Sequence, residues 1–159
     1  MMMNKIILDV CCGGRTFWFN RRHPNTVYID IRREEKGFIK ERPNFEVNPD
    51  MVMDFRDLQF ADESFKMVVF DPPHLKNVGK NSWLAKKYGM LGENWEQDLK
   101  KGFDECWRVL EMNGVLIFKW AERDVKVSEI LKLFGREPLF GHPTGRSGHT
   151  KWVCFMKLQ

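Results

Sequence analysis

Apolar and polar positions along the chain follow two different periods. Short stretches at 5–12 (KIILDVCC), 26–31 (TVYIDI), 51–54 (MVMD), 66–70 (KMVVF) and 115–120 (VLIFKW) are almost continuously apolar and rich in β-branched and aromatic residues. Such runs predict strands covered on both faces, as in a parallel sheet. A helical repeat of three and four residues places Leu99, Phe103, Cys106, Trp107 and Leu110 on one stripe of 95–110, with Asn113 and Gly114 ending the segment. A second amphipathic helix is predicted over 127–134, with Ser128 and Glu129 near its start and Gly135 at its end. Residues 138–142 and 151–156 read as two closing strands joined by a glycine-rich connection over 141–148. The remaining segments are less regular. A short helix is expected in 16–22 before Pro24, a weak helix at 34–40 and a turn of helix at 55–60. Residues 75–94 carry no clear period and read as a long loop, a length that is usually functional inside a compact domain. Strands alternating with helices predict a single doubly wound α/β domain over 1–159.

Composition narrows the class. A chain of 159 residues with 43% hydrophobic and 30% charged residues can bury a real core, which excludes a disordered chain. A net charge of +4 permits an acidic partner such as nucleic acid without making the chain polybasic. The cysteines Cys11, Cys12, Cys106 and Cys154 form no CxxC pair, no signal peptide is evident, and no apolar stretch has bilayer-spanning length. Reduced thiols and a cytoplasmic location are expected. Cys11 and Cys12, adjacent on a strand, point to opposite sides, so no metal site is expected there.

Candidate chemistry gathers where strands stop. The run at 66–70 ends in Asp71-Pro72-Pro73-His74. Pro72 cannot donate to a ladder and holds Asp71 extended, so the strand delivers one carboxylate beside carbonyl acceptors. The first strand opens into Gly13-Gly14, and the second ends on Asp30, where a nucleoside-binding α/β unit places the acid that takes ribose hydroxyls.

In this element order and these residues the chain resembles the class I S-adenosylmethionine-dependent methyltransferases, and among them small phage and prophage enzymes and the amino-methylating DNA methyltransferases, where an acid-Pro-Pro-aromatic motif follows the fourth strand. The resemblance implies a three-layer, mostly parallel seven-stranded sheet with an antiparallel last strand, and S-adenosyl-L-methionine as cofactor. It implies that Asp71 and the Pro72 carbonyl accept the hydrogens of an exocyclic amine, with Pro73 stiffening the loop and His74 standing where an aromatic ring stacks on the base. On the cofactor side it implies Asp30 for the ribose, Asp54 for the adenine amine, Ile31 and Phe55 for the adenine faces, and Asp9 for the loop or the methionine amine. The glycine motif departs from the family's acid-x-Gly-x-Gly-x-Gly, since Cys11 and Arg15 occupy glycine positions and only Gly13 matches; Gly14 is expected to supply the missing backbone freedom.

The same topology puts both long connections at the carboxyl edge of the sheet. Lys76, Lys80, Lys86 and Lys87, interleaved with Trp83 and Tyr88, form one candidate nucleic-acid wall, and His142, Arg146 and His149 a second. Trp107 and Trp152 are expected in the core. The leading function is methyl transfer to an exocyclic amino group of a nucleic-acid base, adenine N6 favoured. The alternatives are a non-catalytic, methyltransferase-like binding subunit, or methylation of a small molecule, RNA or a protein amide. The length leaves no room for a separate target-recognition domain, so selectivity would be loose or come from a partner chain or homodimer.

Overall fold

The computed structural model describes residues 5–142 and 149–159. Its elements in chain order are β1 (Ile7–Asp9), β2 (Thr26–Asp30), β3 (Met51–Val52), β4 (Phe65–Phe70), α1 (Trp83–Tyr88), α2 (Trp95–Val109), β5 (Leu110–Ala121), α3 (Val127–Phe134), β6 (Phe140–Gly141) and β7 (Thr150–Met156). The seven strands form one sheet in the order β3-β2-β1-β4-β5-β7-β6. All neighbours from β3 to β5 run parallel, and β7 runs antiparallel to both β5 and β6. This is the seven-stranded arrangement with an antiparallel last strand that the sequence led us to expect.

Side-chain alternation divides the sheet into two faces. One face presents Leu8, Val10, Val27, Ile29, Val68, Phe70, Leu116, Phe118, Trp120, Val153 and Phe155, all buried in one apolar cluster with the inner stripes of α2 and α3. Phe103 of α2 stacks on Phe134 of α3 with centroids 4.1 Å apart, and Phe118 meets the edge of Phe134 at 4.9 Å. Gly102 lets α2 approach closely: a Cβ there would lie 2.3 Å from the Phe55 ring.

The opposite face carries Asp9, Tyr28 and Val69 in one row, which the strand register sets level with one another. Its cover is irregular chain. Residues 16–22 form turns rather than the expected short helix, with Trp18 edge-on to Tyr28 at 5.1 Å and Phe17 edge-on to Trp152 at 5.3 Å. Trp18 is drawn down by its indole N–H, which donates to Asp9 Oδ2 at 2.7 Å. Trp152 therefore belongs to this face, half-buried, and not to the central core; Trp107 packs partly buried against the core as expected.

Other departures have local causes. The expected helix at 34–40 is absent because Gly37 sits at φ 94° in its middle; Glu34 instead forms an isolated antiparallel bridge with Val47. Residues 55–60 are turn and bend without helix. The loop expected over 75–94 contains α1, started by the Ser82 hydroxyl accepting from the Ala85 N–H and ended at Gly89 with φ 77°. No helix among the described residues is long and apolar enough to cross a membrane.

Candidate active site

The carboxyl ends of β1, β2, β4 and β5 open into one cleft of about 250 Å³. β1 delivers the turn from Val10 to Thr16. Its ladder persists beyond the strand, the Val10 N–H donating to Val69 O at 3.0 Å and the Cys12 N–H to Ile29 O at 2.9 Å, so the turn starts from a fixed position. Gly13 adopts φ 47° and Arg15 φ 55°, while Gly14 does not lie in the left-handed region. The expected role of Gly14 is thus corrected. It must be glycine for space, since a Cβ would lie 2.3 Å from the Phe45 ring, and Arg15 itself takes the left-handed turn. The Arg15 guanidinium compensates by donating to the carbonyls of Arg21 and Asn48, both at 2.7 Å, and by stacking 3.8 Å above the Tyr28 ring.

Asp30, at the end of β2, closes the turn from the other side. Its Oδ2 accepts the Gly13 N–H at 2.9 Å and its Oδ1 the Arg32 N–H at 3.2 Å. Burial raises its pKa above the ordinary value, against these hydrogen bonds and the Arg32 cation, which pull it down. Ile31 beside it is 59% exposed and lines the cleft with Phe55. Asp9 lies beneath, fully buried: burial first, then the nearby Asp71 and Asp30 charges, push it up to about 7, and its Oδ1 has no hydrogen-bond partner. Asp54 is not part of the cleft lining. It is bound to the Arg56 guanidinium at 2.7 Å, which holds it below the usual carboxylate range.

Across the cleft, β4 releases Asp71, Pro72, Pro73 and His74, all of which line it. The Asp71 side chain is 20% exposed, and its Oδ2 lies 3.2 Å from Lys119 Nζ. Burial raises its protonation range, while the Lys119 charge and hydrogen bond lower it. His74 is only 9% exposed and packs its ring against Tyr88 at 5.8 Å and edge-on to Trp120 at 6.2 Å. Desolvation, with the nearby Lys119 and Arg123 cations, pushes its pKa down to about 4, so the ring is neutral at physiological pH. Tyr88, 39% exposed, is the more open aromatic surface.

The two candidate nucleic-acid walls are divided by the fold. Lys87 and Tyr88 line the cleft at the end of α1, and Arg32 ties them there by donating to the Lys86 and Lys87 carbonyls. Lys76 lies outside the lining with its ammonium 5.4 Å above Trp95, Trp83 sits under Arg42, and Lys80 and Lys86 are exposed. His142 and His149 are exposed beside β7, and Arg146 lies outside the described residues. Sequence reasoning missed Lys119, Phe17, Arg32 and Phe45. Only Lys119 had left a signal, as a lone charge inside the apolar run VLIFKW.

No protein-family model matches the chain, and no curated protein does. Solved structures do. The chain superposes on a SAM-dependent methyltransferase from Methanosarcina mazei with TM-score 0.58 and 14% identity, covering 99% of this chain and 94% of that one. The N-methyltransferase NodS from Bradyrhizobium japonicum gives TM-score 0.60 at 11% identity over 98% and 86% of the two chains. The PH0226 protein from Pyrococcus horikoshii gives 0.60 at 16% identity over 95% and 81%. With its strand order and its antiparallel β7, the chain has the Rossmann-like fold of S-adenosylmethionine-dependent methyltransferases.

Proposed function

We propose that the chain is an S-adenosylmethionine-dependent methyltransferase acting on an exocyclic amino group of a nucleic-acid base, with adenine N6 favoured. One observation carries this reading: the Asp71-Pro72 strand end and the Gly13 turn closed by Asp30 line the same cleft. The cradle fits the cofactor. A Cβ on Gly13 would meet nothing within 4 Å, Cys11 is small, Asp30 keeps free lone pairs for hydroxyls, and the exposed Ile31 with Phe55 offers apolar cover for a base. S-adenosylmethionine, when bound, supplies an electrophilic methyl group on a sulfonium.

The protein's part is positioning. An aryl amine has its lone pair delocalised into the ring, so it attacks poorly until it is bent towards tetrahedral geometry. Asp71 accepting one N–H and the Pro72 carbonyl accepting the other would favour that geometry and aim the lone pair. Pro73 restricts the turn behind them. Tyr88 would stack on the base and Lys87 would take a phosphate, with Lys76, Lys80, Lys86, His142 and His149 further out along the nucleic-acid strand's path and Arg146, outside the described residues, kept as a candidate donor. A nucleic-acid substrate, with a partner chain or a second copy supplying selectivity, completes the proposal.

Transfer of labelled methyl to DNA, RNA and protein pools, followed by nucleoside analysis, tests it. Asp71→Ala should abolish transfer, a loss of about a hundredfold or more, while calorimetry still shows cofactor binding. Undiminished transfer by that variant sinks the reading. No saturable heat with S-adenosylmethionine in the unaltered protein would favour a binding subunit that has the fold without the chemistry.

A further inference from the structure

The register of the sheet aligns more than Asp71 with the cleft. Val69 pairs with Ile117 and Ile117 with Cys154, so two residues further on Asp71, Lys119 and Trp152 stand level on one face. On the other side of Asp71 the same count gives Cys11 and Asp30. Lys119 is the one cation in this row. Its ammonium lies 3.2 Å from Asp71 Oδ2, 5.3 Å from the Phe17 centroid and 5.8 Å from the Trp152 centroid, so its stem is held by two rings and its head by one carboxylate. No other hydrogen bond or ion pair engages it among the described residues.

We infer that Lys119 is a positioning and specificity residue: it occupies one oxygen of Asp71, leaves the other as the acceptor for the substrate amine, and selects amines that are uncharged. The inference rests on the methyl-transfer reading and deepens it. A lone half-buried carboxylate would attract any ammonium. Aliphatic amines titrate near ~10 and arrive as cations, whereas amines conjugated to a base ring are neutral. With Lys119 already paired to Asp71 the local charge is balanced, so a second cation gains little and meets repulsion. A neutral amine loses nothing, because it needs an acceptor and not a counter-charge.

The surroundings of Asp71 do not replace Lys119 in this role. Asp9 and Cys11 face it from β1 and Asp30 from β2, and an ionised Asp9 or Asp30 would disfavour a charged Asp71. Arg32 is committed to Asp30 and α1, Lys87 leans over Phe45 and Tyr88, and His74 is neutral. Lys119 alone offsets the burial of the Asp71 charge.

Carboxyl ¹³C NMR titration, with Asp71→Asn to assign the resonance, reads the pair without turnover. In Lys119→Met the Asp71 midpoint should move to higher pH by about one unit or more. The acid limb of methyl transfer to an adenine-containing single-stranded oligonucleotide should move with it, cutting the rate on that limb by up to roughly tenfold. Lys119→Arg should preserve both. Putrescine is the second probe: the unaltered protein should methylate the oligonucleotide in strong preference, and Lys119→Met should narrow that preference. An unchanged Asp71 midpoint and acid limb in Lys119→Met, or a preference of the unaltered protein for putrescine, overturns the inference and leaves the Asp71→Ala result standing. Full transfer by Asp71→Ala overturns both readings.

Discussion

The two faces of the sheet are built from alternate residues of the same strands and could hardly differ more. Beneath α2 and α3 the strands offer apolar side chains, with the buried Lys151 paired to Glu122 as the exception among the described residues, and rings meet in a row from Phe70 through Phe118 and Phe134 to Phe103. On the reverse face they offer Asp9, Asp30, Asp71 and Lys119, covered by irregular chain. The first face supplies the stability and the second draws on it. Burial raises the pKa of all three carboxylates, Asp9 further through the charges of Asp71 and Asp30, and each ionised group there costs folding free energy that the dry face must offset. Helices on the reverse face would bring apolar stripes where this chain instead needs turns that deliver Trp18 to Asp9 and Arg15 to the carbonyls of Arg21 and Asn48.

The largest effect expected from breaking this division is on the dry face. Phe103→Ala removes a fully buried ring that contacts Phe134 at 4.1 Å and Phe155 at 5.2 Å. It should cost about 3–5 kcal/mol in urea unfolding, with a midpoint shift and little change in slope. The polar face should show its character as a pH dependence. Asp9 has an ordinary value of 3.8 and is raised to about 7 in the folded protein. A raised folded value means that the native state holds the proton more tightly, so its stabilising contribution is full below 3.8 and is lost as pH rises through about 7. Without added cofactor, Asp9→Asn should match the unaltered protein near pH 4 and exceed it near pH 8, the gap reaching a few kcal/mol at most (about 1.4 kcal/mol per unit). Denaturation curves across that range check it, and parallel curves for the two proteins would count against a proton on Asp9.

How much of this was legible in the sequence follows the same division. Periodicity found the dry face almost completely, because burial against a helix leaves a repeat: Leu99, Phe103 and Cys106 were read off α2, and the apolar runs off β1, β2, β4 and β5. Motifs at strand ends found Asp71, Pro72, Gly13 and Asp30, since a proline or glycine after an apolar run marks where a strand stops. What escaped was held by single side-chain contacts that leave no period. Phe17 and Phe45 reach the cleft from irregular segments, Arg32 does so by bonding carbonyls of α1, and Lys119 by its place in a strand register that no one-dimensional pattern shows. The helix α1 was missed because six residues are too few for a periodic signal, although Ser82 and Gly89 had marked its ends.

A smaller effect should come from Tyr88, the open aromatic of the cleft. Tyr88→Ala removes about 1–3 kcal/mol of stacking on an unpaired base, so affinity for a single-stranded oligonucleotide should fall about tenfold with cofactor affinity unchanged. Titration by fluorescence anisotropy measures it. An unaltered affinity would assign the ring to packing over His74 alone.

The smallest effect tests how the polar face holds a left-handed turn at a residue that is not glycine. Arg15 accepts φ 55° and repays it with its guanidinium contacts. Arg15→Ala keeps the strained backbone and loses the contacts, whereas Arg15→Gly loses the contacts but relieves the backbone. Both should be less stable than the unaltered protein, and the glycine variant should be the more stable of the two by about 1 kcal/mol. That difference separates the backbone strain, net of glycine's greater unfolded-state entropy, from the clamp, because the lost hydrogen bonds and ring stacking are common to both variants and cancel. If the two variants unfold together, the left-handed turn costs no more than glycine's extra unfolded-state entropy, and the Arg15 clamp has little strain to offset; the guanidinium would then serve mainly to pin residues 21 and 48 beside the cleft. If the glycine variant recovers nearly all the stability, the clamp is weak, and the turn is held mainly by the Gly13 N–H donating to Asp30 at 2.9 Å.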